Sequence, residues 1–170
     1  MANRGTRRIT TALGLLACAL LLAACAGTAP APAPPAEAVI RAEPASPRAA
    51  KVIRLARSLV GTPYKWGGIS PATGFDCSGF IWYVYHRNGV DLPRISWRQL
   101  GTGTPVNRAD IRPGDLVFHK VDKDGKSLHV GIVTDRGTFV HSPSSGRRVM
   151  ESSLNSPFWM EHFLSARRVL

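Results

Sequence analysis

The sequence predicts an α+β domain in which helices come first and an antiparallel sheet follows. Two observations carry this. Between Ser46 and Leu100 apolar residues recur at the spacing of a helix face, whereas after Pro113-Gly114 the pattern changes to that of strands separated by short turns. Helices followed by antiparallel strands pack as layers, with the helices on one face of the sheet. A third observation sets the limits. Residues 26–47 hold eight Ala and six Pro and show no periodicity, so the domain is expected to span residues 48–170.

Each element has its own signal. Ser46-Pro47 is a helix start, a capping hydroxyl followed by proline where a missing N–H is harmless. Val52, Ile53, Ala56, Leu59 and Val60 share a face, and Gly61 is placed to end that helix. The stretch from Gly67-Gly68 to Gly74 reads as loop. Asp76 caps a second helix that begins near Cys77, buries Phe80, Ile81, Val84 and Tyr85, and ends at Asn88-Gly89. Ser96 to about Leu100 is a short third helix. Strands follow at Leu116–Lys120 and Leu128–Thr134, joined by a turn at Asp122–Gly125, then at Thr138–Ser142 and Arg147–Glu151. A helical turn at Pro157–His162 and a strand at Leu164–Val169 complete the domain. The Asp122/Asp124/Gly125 run lacks the Glu that closes a twelve-residue calcium loop, so it reads as a turn.

Of the 170 residues, 22 are Lys or Arg and 11 are Asp or Glu, a net charge of +11. Basic excess fits nucleic acid, an anionic membrane or a polyanionic polymer. No zinc-finger spacing, phosphate-cradling loop or basic helix with interleaved aromatics is present, so nucleic acid is not the expected partner. The N-terminal segment points to the cell envelope. Arg4, Arg7 and Arg8 precede an uncharged run from Ile9 to Ala24, 16 residues long and short of the roughly 20 that span a bilayer. Its end, Leu22-Ala-Ala-Cys25, resembles a bacterial lipobox, which implies a signal peptide over 1–24, lipidation of Cys25 and a membrane anchor. Ala26 after that cysteine implies the outer membrane, with the domain facing the periplasm. Residues 25–47 are then a tether that reaches on the order of 65 Å when extended.

One constellation carries chemistry. With Cys18 removed and Cys25 lipidated, Cys77 is left without a disulfide partner. Asp76-Cys77-Ser78-Gly79 sets the thiol at a helix N-terminus, where free N–H groups and the helix dipole favour a thiolate. His129 and His141 fall on neighbouring strands around a turn near Asp135-Arg136-Gly137. A hairpin centred on residue 135 makes them face each other directly, on the side of the sheet that meets the cysteine helix. A thiol, a base and an orienting group are the parts of a nucleophilic site. The third residue is expected to accept the Nδ1–H of the base. His86, His119 and His162 read as ordinary surface or core histidines. Cys77 with the two histidines supplies three zinc ligands and no evident fourth, so no metal or cofactor is expected.

The ordered blocks Gly61-Thr-Pro-Tyr64-Lys-Trp-Gly-Gly68, Phe75-Asp-Cys-Ser-Gly-Phe80, Leu92-Pro-Arg-Ile-Ser96, Arg112-Pro-Gly-Asp-Leu116, His129-Val-Gly-Ile-Val133 and Phe139-Val-His-Ser142 resemble the NlpC-type cell-wall cysteine peptidases, especially their murein endopeptidase lipoproteins. The resemblance implies a papain-like fold, with Cys77 as nucleophile, His129 as base and His141 as third residue. It implies peptidoglycan as partner, cut at the D-alanyl–diaminopimelate cross-link, with the γ-D-glutamyl–diaminopimelate bond as the alternative. Tyr64 matches the family tyrosine beside the cysteine, while Asp76, Ser78, Arg94 and Ser96 fall near the cleft as substrate or oxyanion contacts. A monomer is expected. A tethered adaptor with an inactive site is the competing class, opposed by the presence of all three of Cys77, His129 and His141.

Overall fold

The computed structural model describes residues 45–121, 127–144 and 146–170. The expected signal segment, Cys25, the tether as far as residue 44 and the Asp122–Gly125 turn lie outside the described residues. Helix α1 spans Pro47–Ser58, and Ser46 Oγ accepts the Ala49 N–H at 3.2 Å. It buries Val52, Ile53 and Ala56 but stops before Val60, which is 48% exposed rather than part of the expected stripe. Two short strands, β1 (Ile69–Ser70) and β2 (Gly74–Phe75), pair within the expected loop. Helix α2 spans Cys77–His86 and buries Phe80, Ile81, Val84 and Tyr85. Helix α3 covers Ser96–Gln99.

The strands of the main sheet are β3 (Thr104–Val106), β4 (Leu116–Lys120), β5 (Leu128–Val133), β6 (Thr138–His141), β7 (Met150–Ser153) and β8 (Phe163–Arg168), with helix α4 (Pro157–Glu161) before the last. Their order is β3-β8-β4-β5-β6-β7, and every described pairing between them is antiparallel. Strand β7 starts three residues later than the sequence predicts. Residues 147–149 are instead held by the segment before the cysteine: Tyr64 N–H donates to Arg147 O at 2.9 Å, and Val149 N–H to Thr62 O at 2.8 Å. The short β1, β2 and β3 carry too few residues to show alternation.

Both faces of the sheet are covered. On one, α1 and α2 bury Val52, Phe80, Ile81 and Val84 against Leu116, Phe118, Val130 and Ile132. Each such side chain contributes about 1.5–3 kcal/mol by leaving water. On the other, Val117, Val133, Phe139 and Ala166 form a smaller core with Leu154, roofed by Trp159 of α4 and by Phe163. The expectation that helices occupy one face holds for α1 and α2 and fails for α4. The architecture is α+β and papain-like.

Candidate active site

The first turn of α2 is built around Asp76. Its Oδ1 accepts the Gly79 N–H at 2.6 Å, its Oδ2 accepts the Gly67 N–H at 2.9 Å, and Arg94 binds both oxygens, at 3.0 and 2.7 Å. Asp76 therefore ties the helix start, the Gly67-Gly68 loop and the Arg94 segment into one knot. Gly79 is required there, because a Cβ on it collides with the Gly68 carbonyl oxygen. Ser78 is buried and its hydroxyl joins the knot, 3.3 Å from Asp76 Oδ1 and 3.0 Å from Arg94 Nη1.

Cys77 follows this cap and is half-buried, with Sγ 3.9 Å from the Leu128 carbonyl of β5. Burial pushes its thiol up to about 11, and the Asp76 carboxylate adds to the rise. The backbone N–H groups of Ser78, Val130 and Cys77 itself favour the thiolate and oppose the shift. Two of these are first-turn amides, which have no intrahelical acceptor.

Strand alternation sets the histidines on the Trp159 side of the sheet. His129 lies between Leu128 and Val130, both in the helix-side core, and Phe139 precedes His141 by two on β6. The pair does not face α2 as the sequence reading expected. The register also differs. Ile132 pairs with Val140 and Val133 with Phe139, which continues to put Gly131, not His129, across from His141. The parity is as expected, so both histidines share a face, but as diagonal neighbours. Aromatic side chains reach across a diagonal. His129 Nε2 and His141 Nδ1 are 2.8 Å apart. The nitrogen of His129 bonded to its partner is thus Nε2, not the expected Nδ1, and Nδ1 is left for other chemistry. His141 Nε2 lies 2.8 Å from Ser152 Oγ, a residue of β7 that carried no signal in the sequence.

Trp159 closes over the pair, stacked on His129 at 5.5 Å and edge-on to His141 at 5.1 Å. Burial lowers both histidines to about 3; His129 is lowered further by its partner, and His141 by His119 and Arg147. Both rings are therefore neutral at neutral pH.

Cys77 and His129 open into one cavity of about 760 Å³. Tyr64, Asp76, Ser78, Arg94 and Ser96 line it, with Trp66, Ile95 and Trp97 at 83%, 50% and 49% exposure on its rim. The Tyr64 hydroxyl is raised above its ordinary value by burial and by the neighbouring Cys77 and Asp76. A second cavity of about 540 Å³ shares His129 with the first and includes His141, Arg147 and Trp159. Among the described residues no group of three or more His, Cys, Asp or Glu side chains forms a metal site.

A papain-like domain with a cysteine at a helix N-terminus and a hydrogen-bonded histidine pair on the adjacent sheet defines a class of protein. Residues 61–168 match the NlpC/P60 family, and the chain belongs to it. It is 39% identical over 114 residues to "Murein DD-endopeptidase MepH" of Escherichia coli, covering 65% of this chain and 42% of that protein. It is 40% identical over 110 residues to "Probable endopeptidase NlpC" of the same organism, covering 64% and 70%. Against the γ-D-glutamyl-L-lysine dipeptidyl-peptidase of Bacillus cereus it is 36% identical over 126 residues, covering 74% and 38%. The match thus spans less than half the length of MepH. Among solved structures, an NlpC/P60 protein from Bacillus cereus superposes with a TM-score of 0.67 at 36% identity, over 72% of this chain and 40% of that one. The NlpC/p60 domain of the peptidoglycan hydrolase SagA gives 0.60 at 33% identity, over 71% and 97%.

Proposed function

We propose that the chain is a peptidoglycan-cleaving cysteine endopeptidase, with Cys77 as nucleophile, His129 as general base and His141 as the residue that orients it. The observation that carries this is the 2.8 Å His129–His141 bond beside the cavity that holds the Cys77 thiol. A proton on His129 Nε2 donates to His141 Nδ1, His141 then donates from Nε2 to Ser152, and the Nδ1 lone pair of His129 is free for the thiol. The thiol is neutral at rest, since burial raises it and lowers the histidines. Activation therefore comes from proton transfer to His129 as sulfur attacks, not from a standing thiolate.

The Cys77 sulfur bonds to the carbonyl carbon of the substrate, and the thiol proton moves to His129. The C–N bond then breaks, and His129 returns that proton to the leaving amine. Water, deprotonated by His129, cleaves the thioester and frees the thiol. The N–H of Cys77 and the hydroxyl of Tyr64 are the donors for the transient oxyanion. Tyr64, Asp76, Ser78, Arg94 and Ser96 form the wall that receives the acyl half of the peptide. The named relatives support peptidoglycan as substrate. MepH favours the D-alanyl–diaminopimelate cross-link, and the Bacillus cereus peptidase stands for the γ-D-glutamyl alternative. We propose further that lipidated Cys25 and the Ala/Pro tether hold the domain at the outer membrane.

Incubating the protein with purified muropeptides of defined structure, with products identified by mass spectrometry, tests the reading. Cleavage by the wild type and none by Cys77→Ala is expected. Equal cleavage by both removes the cysteine mechanism, and no cleavage of any muropeptide leaves the adaptor reading.

A further inference from the structure

The two cavities meet at His129, and Val121, Pro143 and Ser144 also border both. In the mechanism above the acyl carbon sits at Cys77 while the leaving nitrogen sits against His129, which protonates it. Of these two cavities, the larger is the one that Cys77 lines. The acyl half of the peptide therefore occupies the Tyr64 side, and the leaving half extends past His129 into the smaller cavity. The lining of that space is distinctive. Trp159, Phe158 and Met150 give it apolar walls, and among the described residues Arg147 is the only Lys, Arg, Asp or Glu that lines it.

Arg147 is held by its backbone rather than by its side chain. Its N–H donates to Ser144 O at 3.1 Å and its carbonyl accepts the Tyr64 N–H at 2.9 Å, so both cavities share this anchor. Gly146, at φ +77, makes the turn that presents it. Its guanidinium pairs with no carboxylate among the described residues. Neighbouring arginines are already engaged: Arg148 Nη1 donates to Gly61 O at 2.9 Å, and Arg57 binds Glu151 and Asp135.

We infer that the cavity beyond His129 is the leaving-group subsite and that Arg147 binds a free carboxylate on the leaving residue, next to the amine that His129 protonates. This rests on the hydrolase reading. It goes further, because it separates the two candidate bonds by chemistry. In a D-alanyl–diaminopimelate cross-link the carbon that bears the leaving nitrogen also bears a free carboxylate. In the γ-D-glutamyl–diaminopimelate bond within a stem peptide, the carboxyl on that carbon is itself tied up as an amide when the chain continues. Guanidinium pairs with a carboxylate in a way it does not pair with an amide. The apolar walls suit the hydrocarbon chain of the leaving residue.

The test uses two cross-linked muropeptides that differ only at the leaving residue, one with its carboxylate free and one with it as a primary amide. Initial rates and cleaved bonds are read by chromatography and mass spectrometry for wild type, Arg147→Ala, Arg147→Lys and Arg148→Ala. The wild type is expected to favour the carboxylate by about tenfold in kcat/KM. Arg147→Ala brings the ratio to about one, Arg147→Lys keeps part of it, and Arg148→Ala keeps all of it. Equal rates on both substrates in the wild type, a preference that survives Arg147→Ala, or cleavage only at a bond whose leaving carbon lacks a free carboxylate overturns the assignment and leaves the hydrolase reading intact. A wild type that cleaves neither substrate nor any other muropeptide overturns the hydrolase reading, and the assignment falls with it.

Discussion

His129 and His141 meet as a diagonal pair across two strands, Nε2 to Nδ1 at 2.8 Å, because the register that pairs Ile132 with Val140 and Val133 with Phe139 is shifted by two residues from one that would set them directly opposite. The diagonal decides which nitrogen does what. It commits Nε2 of His129 to its partner, and in the proposed mechanism it leaves Nδ1 for the thiol.

The proposed roles order a set of variants. His129→Ala is expected to be as inactive as Cys77→Ala, because no base remains. His141→Ala loses the acceptor that fixes the tautomer of His129 and falls less far, by about 10²–10⁴-fold. His141→Gln keeps an acceptor and retains more. Members of one catalytic unit are not additive, so His141→Ala in a Cys77→Ala background costs almost nothing more. Measuring kcat/KM on one muropeptide checks the order. An active His129→Ala with a dead His141→Ala means that base and orienting residue are exchanged.

The sequence carried the thiol, its cap and both histidines because each sits in a strong local pattern. Asp76 before Cys77 is a helix start, and His129 and His141 sit on strands with matching parity. What it did not carry depends on tertiary geometry. The register around Asp135–Gly137 is fixed by ladder bonds between β5 and β6, and a shift of two residues preserves every alternation cue. Ser152 is one more serine in Met150–Ser153, marked only by the strand that packs beside His141. The late start of β7 reflects the Thr62 and Tyr64 segment, more than eighty residues away in the chain. The opposite-face role of α4 rests on Trp159, whose isolated aromatic ring gives no directional signal.

Gly131 makes the diagonal possible. A Cβ on it collides with the Phe139 ring, and Phe139 stacks on His141 at 4.6 Å. Gly131→Ala is therefore expected to cost about 1–3 kcal/mol of stability and to lower activity by displacing His141. Gly131→Ala with Phe139→Leu makes room for the new methyl and recovers part of the loss. Thermal unfolding and kcat/KM on the single and double variants check this. A single variant with wild-type stability and rate shows that the ring yields freely.

Asp76 raises the Cys77 thiol, while Arg94 covers the same carboxylate. Asp76→Asn keeps a capping oxygen but removes the negative charge, and it leaves the Arg94 cation near the sulfur. Both changes favour the thiolate, so the thiol titrates lower and its alkylation by iodoacetamide at pH 8 is expected to speed up about three- to tenfold. The rate profile against pH shows the direction. A slower reaction means that loosening of the helix start outweighs the charge.

His119 tests how the fold responds to acid. It is fully buried on β4, between Phe139 at 5.3 Å, Trp159 at 4.9 Å and Phe163 at 5.9 Å, and neither ring nitrogen has a hydrogen-bond partner among the described residues. Burial lowers it to about 3, and the nearby Arg108 guanidinium, with the neighbouring His129 and His162 rings, opposes its protonation further. The folded value lies below the ordinary value of 6.5. Between the two, the unfolded chain binds a proton that the folded chain refuses. Stability is then complete above about pH 6.5 and is lost as pH falls toward 3, by about 1.4 kcal/mol per pH unit for each such group. His129 and His141 act in the same sense. His119→Phe removes one of the three. Its midpoint at neutral pH reflects two opposing effects, loss of unpartnered nitrogens, worth about 1–3 kcal/mol, and crowding by a larger ring. The difference in unfolding free energy between pH 7.5 and 5.5 is free of both, since neither depends on pH. That difference is expected to shrink in His119→Phe by about 1.4 kcal/mol, with His129 and His141 supplying the remainder. Urea unfolding at the two pH values measures it. An unchanged difference means that His119 takes up a proton in the folded state, and that the Trp159 side of the sheet admits water.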